Sequence, residues 1–196
     1  MKEPALQDNR PTEALEVFAD ALRNRRTTNF FKAMPAPIES LRSAIDTARW
    51  APNHKLTEPW HFYLLGPQTI VDLRHLVVDV KAAGKADAIR EKVLKRLQGV
   101  PGWFVLTCRT SDDSLREKED YASCCCAVQN LTLYLWQAGI GVKWTTGAVT
   151  RDPRFYELLG IDSSKEFVVG LFWYGYPKAV AEQERLSVAE ICTEIP

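Results

Sequence analysis

APNHKLTEPWHFYLL, residues 51–65, sets a helix stop, a polar loop and a strand start in immediate succession. Upstream, Ile38, Leu41, Ile45 and Ala48 recur at helical spacing and run into Trp50-Ala51-Pro52. Pro52 disfavours helical geometry at Ala51 and cannot itself carry the helix on. Asn53, His54 and Lys55 then offer several hydrogen-bonding groups. Pro59 allows only an extended or edge position, and Trp60-His61-Phe62-Tyr63 has strand composition. A restricted, donor-rich loop beside a buried strand suits a polar, planar ligand.

Working outward, residues 1–11 read as a polar leader. A first helix is expected from about Thr12 to about Arg25, with Ala14, Val17, Phe18, Ala21 and Leu22 on one stripe. A second is expected from Pro37, at a tolerated first position, to about Trp50. A strand over Trp60–Leu65 follows. Residues 67–98 read as helix broken at Gly84, and the charged stretch 84–100 is a candidate for closing over a site. Trp103–Cys108 is an apolar run of strand length. Residues 115–138 form the longest expected helix, apolar enough to predict burial on several sides, and Gly139 stops it. Val142–Thr146 reads as a short strand. Asp152 and Pro153 supply the N-cap and first residue of another helix. Phe167–Tyr174 reads as a strand buried on both faces. This order predicts an α+β sandwich, helices on a central, mostly antiparallel sheet. One domain spans 12–178 and a weakly patterned tail spans 179–196.

Composition narrows the function. The 196 residues carry zero net charge with dispersed cations, which argues against a nucleic-acid partner. No stretch reads as a signal peptide, and the longest apolar run, near Phe167–Tyr176, is too short to span a bilayer. The expectation is a cytoplasmic protein with no membrane association. Cys124, Cys125 and Cys126 fit neither zinc spacing nor a disulfide framework. On a helix they point about 100° apart, so they read as packing residues. Asp112, Asp113, Glu117, Glu119 and Asp120 read as a solvated charge run, and His61 and His75 as structural. Gly139-Ile140-Gly141 fails as a dinucleotide-binding turn, because Trp144 stands where a third glycine belongs and a helix precedes it.

The 51–65 loop resembles the AP-x-x-x-x-x-Q-PW-x-F loop of FMN-dependent nitroreductases, most closely the small bacterial NAD(P)H nitroreductases with an APDHK-type loop. Arg25-Arg26-Thr27 is similar to that family's RRS motif, and Pro35-Ala36-Pro37 falls in the family order. Gly141-Val142-Lys143-Trp144-Thr145-Thr146-Gly147 is similar to its flavin-contacting strand. Val169-Gly170-Leu171-Phe172-Trp173-Tyr174-Gly175-Tyr176-Pro177 is similar to its penultimate strand. The likeness covers about residues 20–178.

The resemblance implies a homodimeric FMN enzyme with two sites at the subunit interface. It implies hydride transfer from NADH or NADPH through flavin N5 to a small electron-poor acceptor, a nitroaromatic or quinone, by ping-pong chemistry, with no catalytic side chain and no metal. Arg25, Arg26 and Thr27 would hold the phosphate or ribityl chain. His54 would contact the ring or ribityl hydroxyls, and Trp144, Thr145, Thr146 and Gly147 would lie beside the ring. The tail would wrap over the partner subunit. Two basic residues also complement a helix end, and a loop histidine also binds a carbonyl, so those readings stay open. The chain departs from the family pattern at Asn29, Trp50, Glu58 and Thr145; Trp50 reads as core or stacking. Another flavin reaction on the same fold, a dehydrogenation or dehalogenation, and a non-catalytic FMN-binding redox sensor remain alternatives.

Overall fold

A computed structural model describes residues 12–35 and 38–195; the polar leader and Pro37 lie outside this range. The elements follow the sequence closely. They run α1 (Thr12–Asn24), α2 (Ile38–Ala48), β1 (Trp60–Leu64), α3 (Pro67–Lys81), α4 (Asp87–Gln98) and β2 (Gly102–Arg109). Then come α5 (Ser114–Gln137), β3 (Gly141–Thr145), α6 (Pro153–Leu159), β4 (Glu166–Gly175) and α7 (Val188–Ile191). The strands form one antiparallel sheet in the order β1-β2-β4-β3.

Alternation along β2 and β4 builds the two halves of the core. Phe104, Leu106, Phe172 and Tyr174 face α2 and α5, where Leu41, Ala44, Cys124, Ala127 and Leu131 meet them. Trp103, Val105, Leu171 and Trp173 face the opposite layer, with Leu73, Val77, Leu97 and Phe155. Cross-strand rings knit both faces: Phe104 stacks on Phe172 at 4.6 Å and Trp103 tilts against Trp173 at 5.3 Å. A bulge between Leu106 and Thr107 shifts the β2–β4 register, which bends the sheet locally.

The helix ends carry the expected chemistry. The Asp152 carboxylate accepts the Arg154 N–H at the start of α6, and Gly139 follows α5 with φ +73°.

Three expectations change. The α1 stripe is largely open, because Val17, Phe18 and Leu22 are exposed and only Ala21 is buried. Helix α5 buries one face, from Asp120 through Leu135, and leaves Tyr121, Cys126 and Tyr134 outward. Trp50 is 75% exposed and is no core residue; the Arg49 guanidinium lies 5.4 Å from its ring. Among the described residues no helix is long and apolar enough to cross a membrane.

Candidate functional site

The 51–59 loop holds the only non-glycine residues with positive φ among those described: Lys55 at 57°, Leu56 at 51° and Glu58 at 45°. Each such residue costs roughly 1 kcal/mol or more, so surrounding bonds must impose the shape. Asn53 supplies them. Its Oδ1 accepts the Glu58 N–H at 2.7 Å, and its Nδ2 donates to Thr57 Oγ1 at 3.0 Å and Ser123 Oγ at 3.2 Å. The Thr57 hydroxyl donates in turn to the Asp120 carboxylate on α5. The loop is therefore closed on itself and docked on α5, with His54, Lys55 and Glu58 outward. Asp120 is 4% exposed, so the acidic run divides. Asp113 caps α5 by accepting the Leu115 and Arg116 N–H groups, and Glu117 accepts the Ser111 N–H. Spacing did not show this, because Asp120's partner lies 63 positions away.

A second group forms where α1 ends. Thr27 bridges Val142 in parallel fashion, and the Thr28 N–H donates to the Val142 carbonyl at 3.1 Å. Gly141 makes this approach possible, since a Cβ there would sit 2.0 Å from Thr28 Oγ1. Arg26 turns back to donate to the carbonyls of Arg23 and Arg25, closing the end of α1, and its buried Nε has no partner. Arg25, Thr27 and Trp144 share a cavity of about 140 Å³ with Cys125, Gln129 and Thr132. Burial lowers the pKa of Arg25, and the charges of Arg26 and Arg185 lower it further. Arg185 was not singled out from the sequence, where it stands in the tail beside Glu184. The fold brings its charge to Arg25. Among the described residues no carboxylate pairs with any of these three arginines.

Trp144 is set by its neighbours. Its indole N–H donates to the Val169 carbonyl at 3.0 Å, and its ring stacks on Phe172 at 5.5 Å. A Cβ on Gly170 would fall 2.2 Å from Trp144 Nε1, so glycine there makes room for the indole.

Strand alternation sends Lys143 and Thr145 to the opposite face of β3. There a cavity of about 350 Å³ is lined by Val77, Lys81, Lys143, Thr145, Gly147 and Trp173, among others. Thr145 Oγ1 donates to the Leu171 carbonyl at 2.8 Å, and the Thr146 carbonyl accepts from Arg151 at 3.1 Å. Gly147 has φ −65°, which any residue adopts, and a Cβ there would meet open space. The backbone at this point is approachable.

The eight residues singled out from the sequence thus fall in three places. Arg25, Arg26, Thr27 and Trp144 lie on one side of β3, with Thr145 and Gly147 on the other and the exposed Thr146 between those two. His54 belongs to the loop before β1, at the far edge of the sheet. Four strands at about 4.8 Å spacing put β1 and β3 roughly 14 Å apart. Among the described residues no cluster of His, Cys, Asp and Glu is arranged to hold a metal ion.

This arrangement has known counterparts. The sequence profile of the Nitroreductase family matches residues 22–176. The chain belongs to the nitroreductase family. It is an oxidoreductase of that type. It is 29% identical over 184 residues to YfhC of Bacillus subtilis, a protein assigned by name to the NAD(P)H nitroreductases; the match covers 91% of this chain and 94% of the relative. A nitroreductase-like family protein from Bacillus cereus superposes with TM-score 0.77 at 27% identity, covering 91% of this chain and 95% of the other. The FMN-dependent nitroreductase NfnB from Mycobacterium smegmatis, solved with NADPH, shares the fold with TM-score 0.75 at 16% identity, over 93% of this chain and all of that one (100%).

The side chains of this nitroreductase-family member suit an elongated anionic ligand with a planar end. The arginine group offers charge-assisted donors to a phosphate. The larger cavity offers apolar walls rimmed by lysines. Residues 27–29 run along β3 between the two.

Proposed function

We propose that the protein binds FMN and passes reducing equivalents from NADH or NADPH to a small electron-poor acceptor, a nitroaromatic or a quinone. The carrying observation is a cavity lined by Arg25 and Thr27, where the charges of Arg26 and Arg185 act on an Arg25 unpaired by carboxylates, with a second cavity lined by Thr145 and Gly147 across β3. FMN carries a phosphate at one end and a conjugated ring at the other, and this donor set fits both. Bound FMN would hold two electrons between the departure of the donor and the arrival of the acceptor, so the two follow one another in ping-pong order.

The side chains then have binding and orienting work. Arg25 and Arg185 hold the phosphate by charge, with Thr27 adding a hydroxyl. Arg26 closes α1 and stiffens the segment that carries both. Trp144 forms a wall fixed by Val169 and Phe172. The Asn53 network holds the loop that presents His54.

The sheet's breadth separates His54 from Arg25 within one copy, which supports a homodimer in which each flavin takes its loop from the partner subunit. The open stripe of α1 supports the same reading. Phe18 is 58% exposed, and Ala14, Val17 and Phe18 line an apolar groove with Leu133 and Tyr134 of α5. Such a patch marks an interaction surface. Residues 179–195 expose Val180, Leu186, Val188 and Ile191, which suits a tail laid on the partner.

The test is the visible spectrum of the purified protein with FMN, before and after anaerobic NADPH and then NADH. A bound-flavin spectrum that bleaches on mixing supports the proposal and opens acceptor screening, halogenated aromatics included. Bound flavin that stays oxidised with both donors supports the redox-sensor alternative. A protein that leaves FMN free sinks the flavin reading.

A further inference from the structure

Helix α4 sets an arginine over an aromatic ring that stays open to solvent. The Arg96 guanidinium carbon stands 5.8 Å from the centre of the Phe30 ring, and Phe30 is 62% exposed. The backbone under that ring is fixed on both sides. The Phe30 carbonyl accepts the Lys178 N–H at 3.0 Å, the Thr28 N–H donates to Val142, and Phe31 is buried where it bridges Pro177. Helix α4 is held as firmly. Leu97 is buried, Val93 and Leu94 pack on the same core, and Arg90 pairs with Asp79 of α3. Lys92 and Lys95 are exposed on the same helix, Lys92 one turn before Arg96. Among the described residues no carboxylate pairs with Lys92, Lys95 or Arg96. A cation in the last turn complements the helix dipole, and Lys95 also stands there. That role does not call for the ring beneath Arg96. The pair borders the larger cavity. Asn29, the residue before Phe30, accepts from Lys143 Nζ at 2.7 Å, and Lys143 lines that cavity with Thr145 and Gly147. Burial lowers the Lys143 pKa, and the charge of Arg96 lowers it further, so the guanidinium is felt at the cavity rim.

We propose that Arg96 and Phe30 receive the adenosine 2′-phosphate end of NADPH and so make NADPH, rather than NADH, the preferred donor. This rests on the flavin reading above and deepens it. The two dinucleotides differ by one phosphate on the adenine-side ribose, so only a group that meets that phosphate can tell them apart. The nicotinamide has to lie against the flavin ring, which leaves the adenine end projecting from the cavity, toward the rim where Arg96 and Phe30 stand. Arginine binds phosphate through forked, charge-assisted hydrogen bonds. Its donors lie along the edge of the guanidinium and stay free when the face meets a ring. Phe30 adds an aromatic surface for the adenine. Lys92 and Lys95 add positive charge on the same helix. An aromatic acceptor bearing an acidic group shares this chemistry, and the experiment separates it from the donor.

The experiment mixes the FMN-loaded wild type, Arg96→Gln, Arg96→Lys and Phe30→Leu anaerobically with NADPH or NADH. The concentration dependence of flavin bleaching gives a Kd for each donor. Calorimetry supplies a readout free of turnover, with adenosine 2′,5′-bisphosphate against adenosine 5′-monophosphate as probes. The wild type is expected to bind NADPH about tenfold more tightly than NADH, the worth of one exposed charged hydrogen bond, and to favour the bisphosphate probe likewise. Added salt should erode that preference. Arg96→Gln should bring both ratios close to one, and Arg96→Lys should keep part of them. Phe30→Leu should raise the Kd of both donors alike, because the adenine is common to them. An Arg96→Gln variant that keeps the wild-type ratios overturns the proposal. So does a defect in that variant confined to flavin reoxidation by nitrobenzoate, with the donor ratio intact, which would assign the arginine to an acidic acceptor. FMN-loaded wild type with no donor preference overturns this inference alone, whereas a wild type that binds no FMN overturns the flavin reading and this inference with it.

Discussion

Arg25 is half-buried among like charges, so an arriving phosphate relieves repulsion as well as gaining hydrogen bonds. Arg25→Ala should weaken FMN binding by about 1.5–3 kcal/mol, the usual worth of a charged hydrogen bond, or roughly ten- to a hundredfold in Kd by fluorescence titration. Full occupancy in this variant would remove Arg25 from the site. Gly170 acts through space. Its Cα–H face is covered by the Trp144 indole, so Gly170→Ala should displace that ring and cost about 1–3 kcal/mol of overpacking in urea unfolding. Tyr63 offers a titration on β1, at the opposite edge of the sheet from β3. Burial, then its hydrogen bond to Glu166, push its pKa up to about 12. The unfolded value is about 10, so the native state keeps a proton that the unfolded chain loses. Stability from this group is complete below about pH 10 and falls as pH rises toward 12. Tyr63→Phe should flatten that alkaline slope, which denaturation midpoints across the range would record.

At the scale of elements, the 51–59 loop and α5 depend on each other. Removing the Thr57 hydroxyl leaves the buried Asp120 carboxylate without this donor and releases three left-handed residues from one of their restraints. Thr57→Val should therefore destabilise the chain by about 1–3 kcal/mol and speed proteolytic cleavage near Lys55. An unchanged cleavage rate would mean that Asn53 alone holds the loop. The proline positions and the strand composition of 60–63 revealed that a constrained loop meets a strand here. The bonds that constrain it come from Ser123 and Asp120, far along the chain, and periodicity carries no trace of them. Strand β3 shows the same limit. Its alternating pattern was legible, yet the division of Trp144 and Thr145 between two cavities needed the sheet and α5 in place.

On the scale of the whole molecule, the sheet separates the loop from the arginines, and a second copy is the economical way to join them. Sedimentation of the wild type should show a dimer. Mixing unfolded Arg25→Ala chains with His54→Ala chains, then refolding, should restore FMN sites above either variant alone, because a mixed dimer carries one intact site. No gain on mixing would place both residues at the same site of one subunit and refute the shared arrangement. Phe18→Glu on the open face of α1 should shift sedimentation toward the monomer while leaving the far-ultraviolet circular dichroism unchanged.

The sequence by itself determined the order and extent of the elements. Helical spacing, strand alternation and proline, glycine and aspartate stops are local properties of a chain, and they survive into the fold nearly residue for residue. It also determined the family, because four short motifs keep their order along the chain. Tertiary structure alone decided which charges meet. The charge of Arg185 acts on Arg25, Lys143 finds Asn29, and Asp120 leaves its acidic neighbours to bind Thr57. These encounters join residues far apart in sequence, and their energies depend on distance and burial. Both quantities exist only once the sheet and α5 have closed around them.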